Sequence, residues 1–106
     1  MSSKKKQLWI GSAHVKQPYR NGALGNADEA FVNVIGFVVD KSDFRRQVKK
    51  EVESLELILL QLKDIETLEH RLSKHSIHED LSKLAQKVER TGQVAFDVFV
   101  TFDHDT

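Results

Sequence analysis

The sequence contains no cysteine, and this absence excludes several kinds of chemistry at once. Without thiols the chain has no disulfide bond, no thiolate nucleophile and no thiolate ligand for a metal ion. A chain without disulfides suits a reducing compartment. Long apolar runs are missing as well, since no stretch approaches the roughly 18 apolar residues of a membrane-spanning helix. We therefore expect a cytoplasmic protein with no membrane segment.

The start of the chain lacks the apolar segment of a secretory signal peptide. Residues 1–6 contain three lysines and no apolar pattern, so we expect a flexible basic tail. Residues 7–106 have the length of one typical domain. The composition, 40% hydrophobic and 30% charged residues, is that of an ordinary globular protein. The sequence therefore predicts a single α+β domain over 7–106 behind a short tail.

Three segments have the alternation and composition of β-strands: residues 8–15, 30–39 and 93–102. The segment 30–39 is rich in Val, Ile and Phe on both of its faces, which is typical of a central strand covered on both sides. The segment 93–102 alternates regularly, so its even-numbered apolar residues should share one face. A loop over 16–29, with the only proline, Pro18, connects the first two strands.

Neither glycine nor proline occurs over residues 37–91, so no residue forces a break in the middle of the chain. Ser42 is positioned to cap a helix, and Phe44 and Val48 begin an apolar stripe at helical spacing. Because the stripe continues without interruption, a long helical hairpin over 43–90, flanked by strands, is one possible arrangement.

The run of four apolar residues at 57–60 favours a different arrangement, because it suits a buried strand. We therefore predict a strand at 56–62, a short helix at 65–73 and a last helix that begins with the capping-box residues Ser76 and Glu79. The resulting order, β–β–α–β–α–α–β, predicts an α+β fold. Its four-stranded sheet is expected to be mixed or antiparallel, with the helices packed on one face.

The net charge of the whole chain is zero, but its two halves carry opposite charges. Residues 1–50 carry ten Lys or Arg and four Asp or Glu, a net charge of +6, whereas residues 51–106 carry six and twelve, a net charge of −6. Part of the positive charge lies on one helix face, at Arg45, Arg46, Lys49 and Lys50. Such a face can bind phosphates, although the pI near 7.0 and the lack of a nucleic-acid-binding motif favour a merely solvated surface. We keep nucleic-acid or anion binding through 41–50 as the alternative function.

Three histidines, His70, His75 and His78, lie close together around the link between the last two helices. Imidazole nitrogens bind zinc or nickel where three or four ligands converge, but this spacing matches no zinc signature. Catalytic motifs are missing too, since the chain has no nucleophile elbow, no zinc-protease motif and no phosphate-binding loop. The sequence therefore predicts no metal site, no cofactor, no catalytic residue and no enzymatic activity.

The residues that we predict to contact a partner are Tyr19, Arg20, Asp97, Phe99 and Thr101. Tyr and Arg are enriched in binding interfaces, and the first two residues lie in a loop. The other three lie on the outer face of the last predicted strand.

An excess of apolar strand residues indicates the kind of function. Helices on one face of the predicted sheet leave the apolar residues of the other face to be covered by a second copy or a partner. We therefore expect a non-enzymatic protein–protein interaction domain that forms a homodimer or binds a protein partner. In one version of this hypothesis it neutralises a basic partner, as immunity proteins and antitoxins do.

Overall fold

The computed structural model describes residues 5–19 and 22–102 of the chain. Residues 1–4 of the expected tail, the loop residue Arg20 and the C-terminal residues 103–106 lie outside the described residues. In chain order the elements are β1 (Gln7–Lys16), β2 (Glu29–Val38), α1 (Lys41–Ser54), β3 (Ile58–Thr67), α2 (Leu68–Lys74), α3 (Glu79–Thr91), β4 (Ala95–Phe96) and β5 (Val100–Phe102). No helix within the described ranges is long and apolar enough to cross a membrane.

The strands form one antiparallel sheet. β1 lies between β3 and β2, and the short strands β4 and β5 both pair with the other side of β2. β2 is therefore an inner strand, which explains why apolar residues occupy both of its faces. The predicted α+β class, the antiparallel sheet and the predicted order of elements are confirmed.

The chain leaves α1 through a turn and enters a strand at once. Glu56 has a φ of 61°, a left-handed conformation that a continuing helix does not contain. The backbone of β3 then pairs with β1 as far as Thr67. The alternative of one long helical hairpin is therefore wrong. The predicted strand at 56–62 and helix at 65–73 are both displaced toward the C-terminus, because pairing with β1 decides where the strand ends.

The helix caps also differ from the predicted ones. Asp40, not Ser42, caps α1: its backbone is extended and its side chain accepts the hydrogen bond of a first-turn N–H at 2.8 Å. At α3 the Nδ1 atom of His78 accepts from a first-turn N–H at 3.3 Å, while Ser76 lies outside the helix. In each helix the cap is the polar residue whose backbone is extended directly before the first turn. Several neighbouring residues have side chains that could accept the same hydrogen bond, so the sequence does not identify the cap.

One face of the sheet packs against α1, and we call it the α1 face. Phe44, Val48 and Val52 of α1 are fully buried against it. Gly11 and Gly36 lie beneath the ring of Phe44, where a Cβ atom would come within 3.0 Å and 3.2 Å of ring carbons. Two neighbouring strands therefore have glycine where the helix approaches most closely.

The helices α2 and α3 pack against the opposite face, which we call the α2/α3 face. Its core consists of Ile10, Ile35, Leu68, Leu81, Ala85 and Val88. The prediction that all helices pack on one face is therefore wrong. Because β2 is apolar on both faces, a helical layer on one face alone would leave Ile35 and its neighbours in water.

A β-bulge divides the last predicted strand into β4 and β5. Three residues, 97–99, lie between these strands, whereas only two residues of β2 separate their pairing partners. The extra residue reverses the alternation, so Val98 is 77% exposed and Phe99 lies on the α1 face. The ring centroids of Phe99 and Phe96 are 5.7 Å apart. The predicted outer-face position of Phe99 is wrong, because strict alternation does not continue across a bulge.

Candidate interaction surface

The helices cover only one end of the α2/α3 face, and the rest of this face is open. The uncovered part, which we call the open half, comprises Ser12, His14 and Lys16 of β1, Glu29, Phe31 and Asn33 of β2, Ile58, Gln61 and Lys63 of β3, and Val100 and Phe102 of β5. These residues share a face because every second residue of a strand points to the same side and paired residues lie opposite each other.

The strand register arranges the open half in three rows that cross the sheet. The middle row is Gln61, His14, Phe31 and Val100. The outer row, farthest from the helices, is Ile58, Lys16, Glu29 and Phe102. The inner row, next to α2 and α3, is Lys63, Ser12 and Asn33. The centre of the open half is therefore aromatic, and most polar side chains lie toward its margins.

Three rings cluster in the middle and outer rows of the open half. The ring centroids of His14 and Phe31 are 4.6 Å apart, and those of Phe31 and Phe102 are 5.2 Å apart. The planes of the two rings are inclined to each other by 32° in the first pair and by 21° in the second. Rings that lie side by side in one plane have more widely separated centroids, so these rings stack with an offset across the strands. Each ring therefore covers part of the face of its neighbour. Phe31 remains 41% exposed.

His14 also forms a close polar pair with Glu29. The Nε2 atom of His14 lies 2.6 Å from Oε1 of Glu29, and the Glu29 side chain is only 8% exposed. A carboxylate in this position orients an imidazole, as the acidic residue of a catalytic triad does. A triad also needs a nucleophile, and no hydroxyl group in the described part of the chain hydrogen-bonds to this ring. The pair therefore holds the ring of His14 in the aromatic cluster.

A cleft of about 680 Å³ lies between the inner row and the link from α2 to α3. Asn33 lines it from the sheet, and Glu66 and Arg71 form an ion pair in its wall, with 2.6 Å between Oε2 and Nε. The guanidinium group of Arg71 lowers the pKa of the Glu66 carboxyl below its usual value. Each charge of this pair is compensated by the other, so the pair serves to hold the start of α2 against β3.

The three histidines that lie close together in sequence, His70, His75 and His78, line this cleft without converging. His78 uses Nδ1 to cap α3, and its Nε2 atom lies 3.5 Å from Oδ2 of Asp97. His70 lies beside the ion pair, with its Nε2 atom 3.9 Å from Oε1 of Glu66, and His75 lies elsewhere in the lining. Across residues 5–19 and 22–102, no three His, Asp or Glu side chains come together as a bound metal ion requires.

The basic face of α1 lies on the other side of the molecule from the open half. Arg45, Arg46, Lys49 and Lys50 are all exposed, because the buried stripe of α1 faces the sheet. Arg46 hydrogen-bonds to Asp43, and this contact lowers the pKa of the Asp43 carboxyl. The other three cations form no ion pair with any residue that the structure describes. The predicted patch is therefore present as a group of exposed charges.

A single buried side chain holds the loop between β1 and β2. The Nε2 group of Gln17 donates to the carbonyl oxygens of Gly25 at 2.8 Å and Ala27 at 2.9 Å, and its Oε1 accepts from the N–H of Leu24 at 3.0 Å. Tyr19, at the start of the same loop, is 79% exposed and lies near the C-terminal half of α1. The described part of the loop is thus held from inside, and Tyr19 is exposed.

The predicted partner-binding residues do not form one surface. Asp97 lies beside the cleft, at His78. Phe99 packs against the core of the α1 face, and Thr101 pairs with Ala30, which belongs to that core. Tyr19 lies in a separate region near α1. Among the four of these residues that the structure describes, only Asp97 lies beside the open half on the same face of the sheet.

Sequence reasoning missed the open half, although its signal is present in the two long strands. On β1 the residues of this face change from apolar at Ile10 to polar at Ser12, and on β2 they change from apolar at Ile35 to polar at Asn33. These changes lie close together in the pairing register, since Ile10 is opposite Ile35 and Ser12 is opposite Asn33. Where two paired strands change from apolar to polar residues at neighbouring pairs, the part of the face that helices cover ends.

No protein-family model, no curated protein and no solved structure matches this chain. The interpretation of the open half therefore rests on its own geometry and chemistry.

Proposed function

We propose that the protein is a non-enzymatic protein-interaction domain and that the open half of the sheet is its contact surface. The observation that carries this proposal is the ring cluster of His14, Phe31 and Phe102, which is exposed on a sheet face whose other half is covered by helices. Contiguous exposed apolar groups on a rigid surface are typical of interaction sites.

The distribution of side chains over the open half supports a protein partner. Interfaces between proteins have aromatic residues at a water-excluded centre and polar residues at the rim. Phe31 and Val100 lie in the middle row, while Ser12 and Asn33 lie in the inner row and offer hydrogen bonds without a charge. Since strand backbones hold these side chains in place, little conformational entropy is lost on binding.

The orientation of the rings favours a protein over a nucleic acid on this surface. Bases stack on ring faces that lie open to solvent. In the open half Phe31 and Phe102 stack on each other, so part of each ring face is already occupied, and such rings also pack well against aliphatic and aromatic side chains. The exposed lysines Lys16 and Lys63 at its margins also favour a partner that is not strongly basic.

Substitution of Phe31 by Glu tests this proposal, with Leu72→Glu as the matched control. Both residues are large, apolar and exposed to a similar extent, 41% and 49%, but Leu72 lies on α2, outside the open half. We expect the wild-type chain and L72E to bind the same protein, either a second copy or a protein captured from source cells and then purified for direct titration. F31E should bind it at least about tenfold more weakly, as is typical of a central aromatic contact.

Circular dichroism must show that F31E keeps its fold. If all three proteins bind with equal affinity, or if no Phe31-dependent binding to any protein is found, the proposal is wrong.

The basic face of α1 supports a second candidate function, binding of nucleic acid or another polyanion. Arg45, Lys49 and Lys50 are exposed without an ion-pair partner among the described residues, so their charges are available to phosphates. The double variant Lys49→Gln, Lys50→Gln should weaken binding of mixed-sequence RNA and DNA at low salt. The double variant Lys83→Gln, Lys87→Gln on α3 removes the same charge elsewhere and should not. A wild-type chain that shows no salt-dependent binding would eliminate this candidate.

A further inference from the structure

We infer that the occupant of the open half is a second copy of this chain, related to the first by a two-fold axis that runs across the strands. This inference rests on the proposed function, because it names the partner of the same surface. Its basis is the shape of the α2/α3 face together with the order of residues in the three rows.

The α2/α3 face has the shape of a step. The helices α2 and α3 cover one half of it and rise above the open half by the thickness of one helical layer. A helix with its side chains is roughly 10–12 Å thick, and two sheets that pack face to face are about 10 Å apart. A second sheet laid on the open half is therefore level with the helices beside it.

A copy of the same chain fits this step only in one orientation. With the two-fold axis across the strands, each open half covers the other, and the helices of each copy lie beyond the end of the other copy's sheet. With the axis along the strands, both helical layers come to the same end of the dimer. Two layers need about 20 Å, whereas sheets in contact are about 10 Å apart, so that arrangement is sterically excluded.

The rows of the open half agree with an axis across the strands. If the axis follows the middle row, Phe31 meets the partner's Phe31 and Val100 meets the partner's Val100, so the apolar centre of each copy covers that of the other. The outer row of one copy then faces the inner row of the other. Lys16 lies opposite the partner's Ser12, and Glu29 opposite the partner's Asn33. Ile58 lies opposite the partner's Lys63, and His14 and Gln61 of the middle row meet the same residues of the partner. No lysine faces a lysine and no carboxylate faces a carboxylate across this contact.

The size of the open half indicates a weak dimer. Four strands about 4.8 Å apart and three rows about 6.7 Å apart cover roughly 400 Å². A stable interface buries about 800 Å² on each partner, so contact along the step has to supply the remainder. We therefore expect a weak dimer that forms only at high protein concentration, not an obligate one.

Sedimentation velocity of the full chain between about 10 μM and 1 mM, a range in which weak dimers form, tests the inference. The wild type and Leu72→Glu should change from monomer to dimer over this range, whereas Phe31→Glu should remain a monomer. Because the chain contains no cysteine, single-cysteine variants report on the axis directly. Val100→Cys, in the middle row, should form a covalent dimer with a short bismaleimide, and Leu72→Cys should not.

The outcomes separate this inference from the proposed function. A wild-type chain that stays monomeric at 1 mM overturns the second-copy inference, and Phe31-dependent binding of a different protein would then still support the proposed function. A dimer that forms equally well with Phe31→Glu overturns both. A Phe31-dependent dimer in which Val100→Cys is not cross-linked overturns the axis across the strands.

Discussion

The two faces of the sheet are built from alternate residues of the same strands, yet they are covered to different extents. On the α1 face, one helix packs Phe44, Val48 and Val52 against a core that includes residues of β1, β2 and β3 and reaches the C-terminal strands. On the α2/α3 face, the core is limited to one end, and Phe31 lies exposed at the other. The composition of the strands alone therefore does not decide which parts of a sheet face are covered by helices.

The connections of the helices explain the difference. α1 has 14 residues and is therefore about 21 Å long, enough to cross from β2 over β1 to β3. α2 begins directly after Thr67, the last residue of β3, and the chain returns from α3 to Ala95, opposite Ile35. Both connections lie at the same end of the sheet. Both helices α2 and α3 therefore stay at that end, and the open half remains at the other.

The largest expected effect belongs to the fully covered face. Phe44→Ala should lower the free energy of unfolding by about 3–5 kcal/mol, because it removes a fully buried ring above two glycines that cannot fill the space. Urea unfolding followed by circular dichroism measures this loss. Leu55→Ala, at the exposed end of the same helix, should cost less than about 1 kcal/mol. Equal losses for the two variants would show that the α1 face is not the main core.

A smaller loss is expected in the covered half of the other face. Leu81→Ala should lower the free energy of unfolding by about 2–4 kcal/mol, since Leu81 of α3 is buried in the core of the α2/α3 face but borders the cleft, where side chains can relax into the space. The same urea experiment applies. A loss larger than that of Phe44→Ala would reverse the proposed order of the two cores.

The open half should contribute least to the stability of the single chain. Phe31→Ala should change the free energy of unfolding by less than about 1 kcal/mol in dilute solution, because Phe31 is largely outside both cores. At high protein concentration the wild type should gain stability relative to this variant, since dimerisation stabilises the folded state. Leu72→Ala should show no such concentration dependence. A large loss in dilute solution would identify Phe31 as a structural residue.

The smallest effect concerns the ion pair in the cleft. Arg71→Gln should raise the pKa of Glu66 toward the usual glutamate value, which carbon-13 NMR of the carboxyl group measures. A lowered carboxylate pKa stabilises the folded state above the usual value, and this stability is lost as the pH falls through the lowered pKa. As the pH falls through the acid range, the free energy of unfolding of the variant should therefore decrease less than that of the wild type. Lys83→Gln, at the exposed ion pair with Glu79, should leave the Glu66 titration unchanged.

Features with a local physical cause were predictable from the sequence. The apolar stripe of Phe44, Val48 and Val52 identified α1, and the apolar residues on both faces of 30–39 identified an inner strand. The helix boundaries and caps were less predictable, because pairing with β1 extends β3 to Thr67. Local propensity contains no information about that pairing.

The candidate site was harder to predict than the fold. Phe99 and Asp97 seemed to share a strand face by alternation, but the bulge at 97–99 separates them. The pair of His14 and Glu29 joins residues of different strands across a loop, so its closeness depends on the register of β1 and β2. Neither feature follows from residue types alone.

The sequence by itself determined the α+β class, the order of its elements and the exposed charges on α1, because hydrophobic periodicity and charge spacing act within single elements. Only the tertiary structure decided which side of the sheet each helix covers and how far it reaches. That outcome depends on strand register, one bulge and the end of the sheet at which α2 and α3 connect. The exposed rings of the open half are a consequence of those long-range contacts, since the same residues beneath a longer helix would be part of the core.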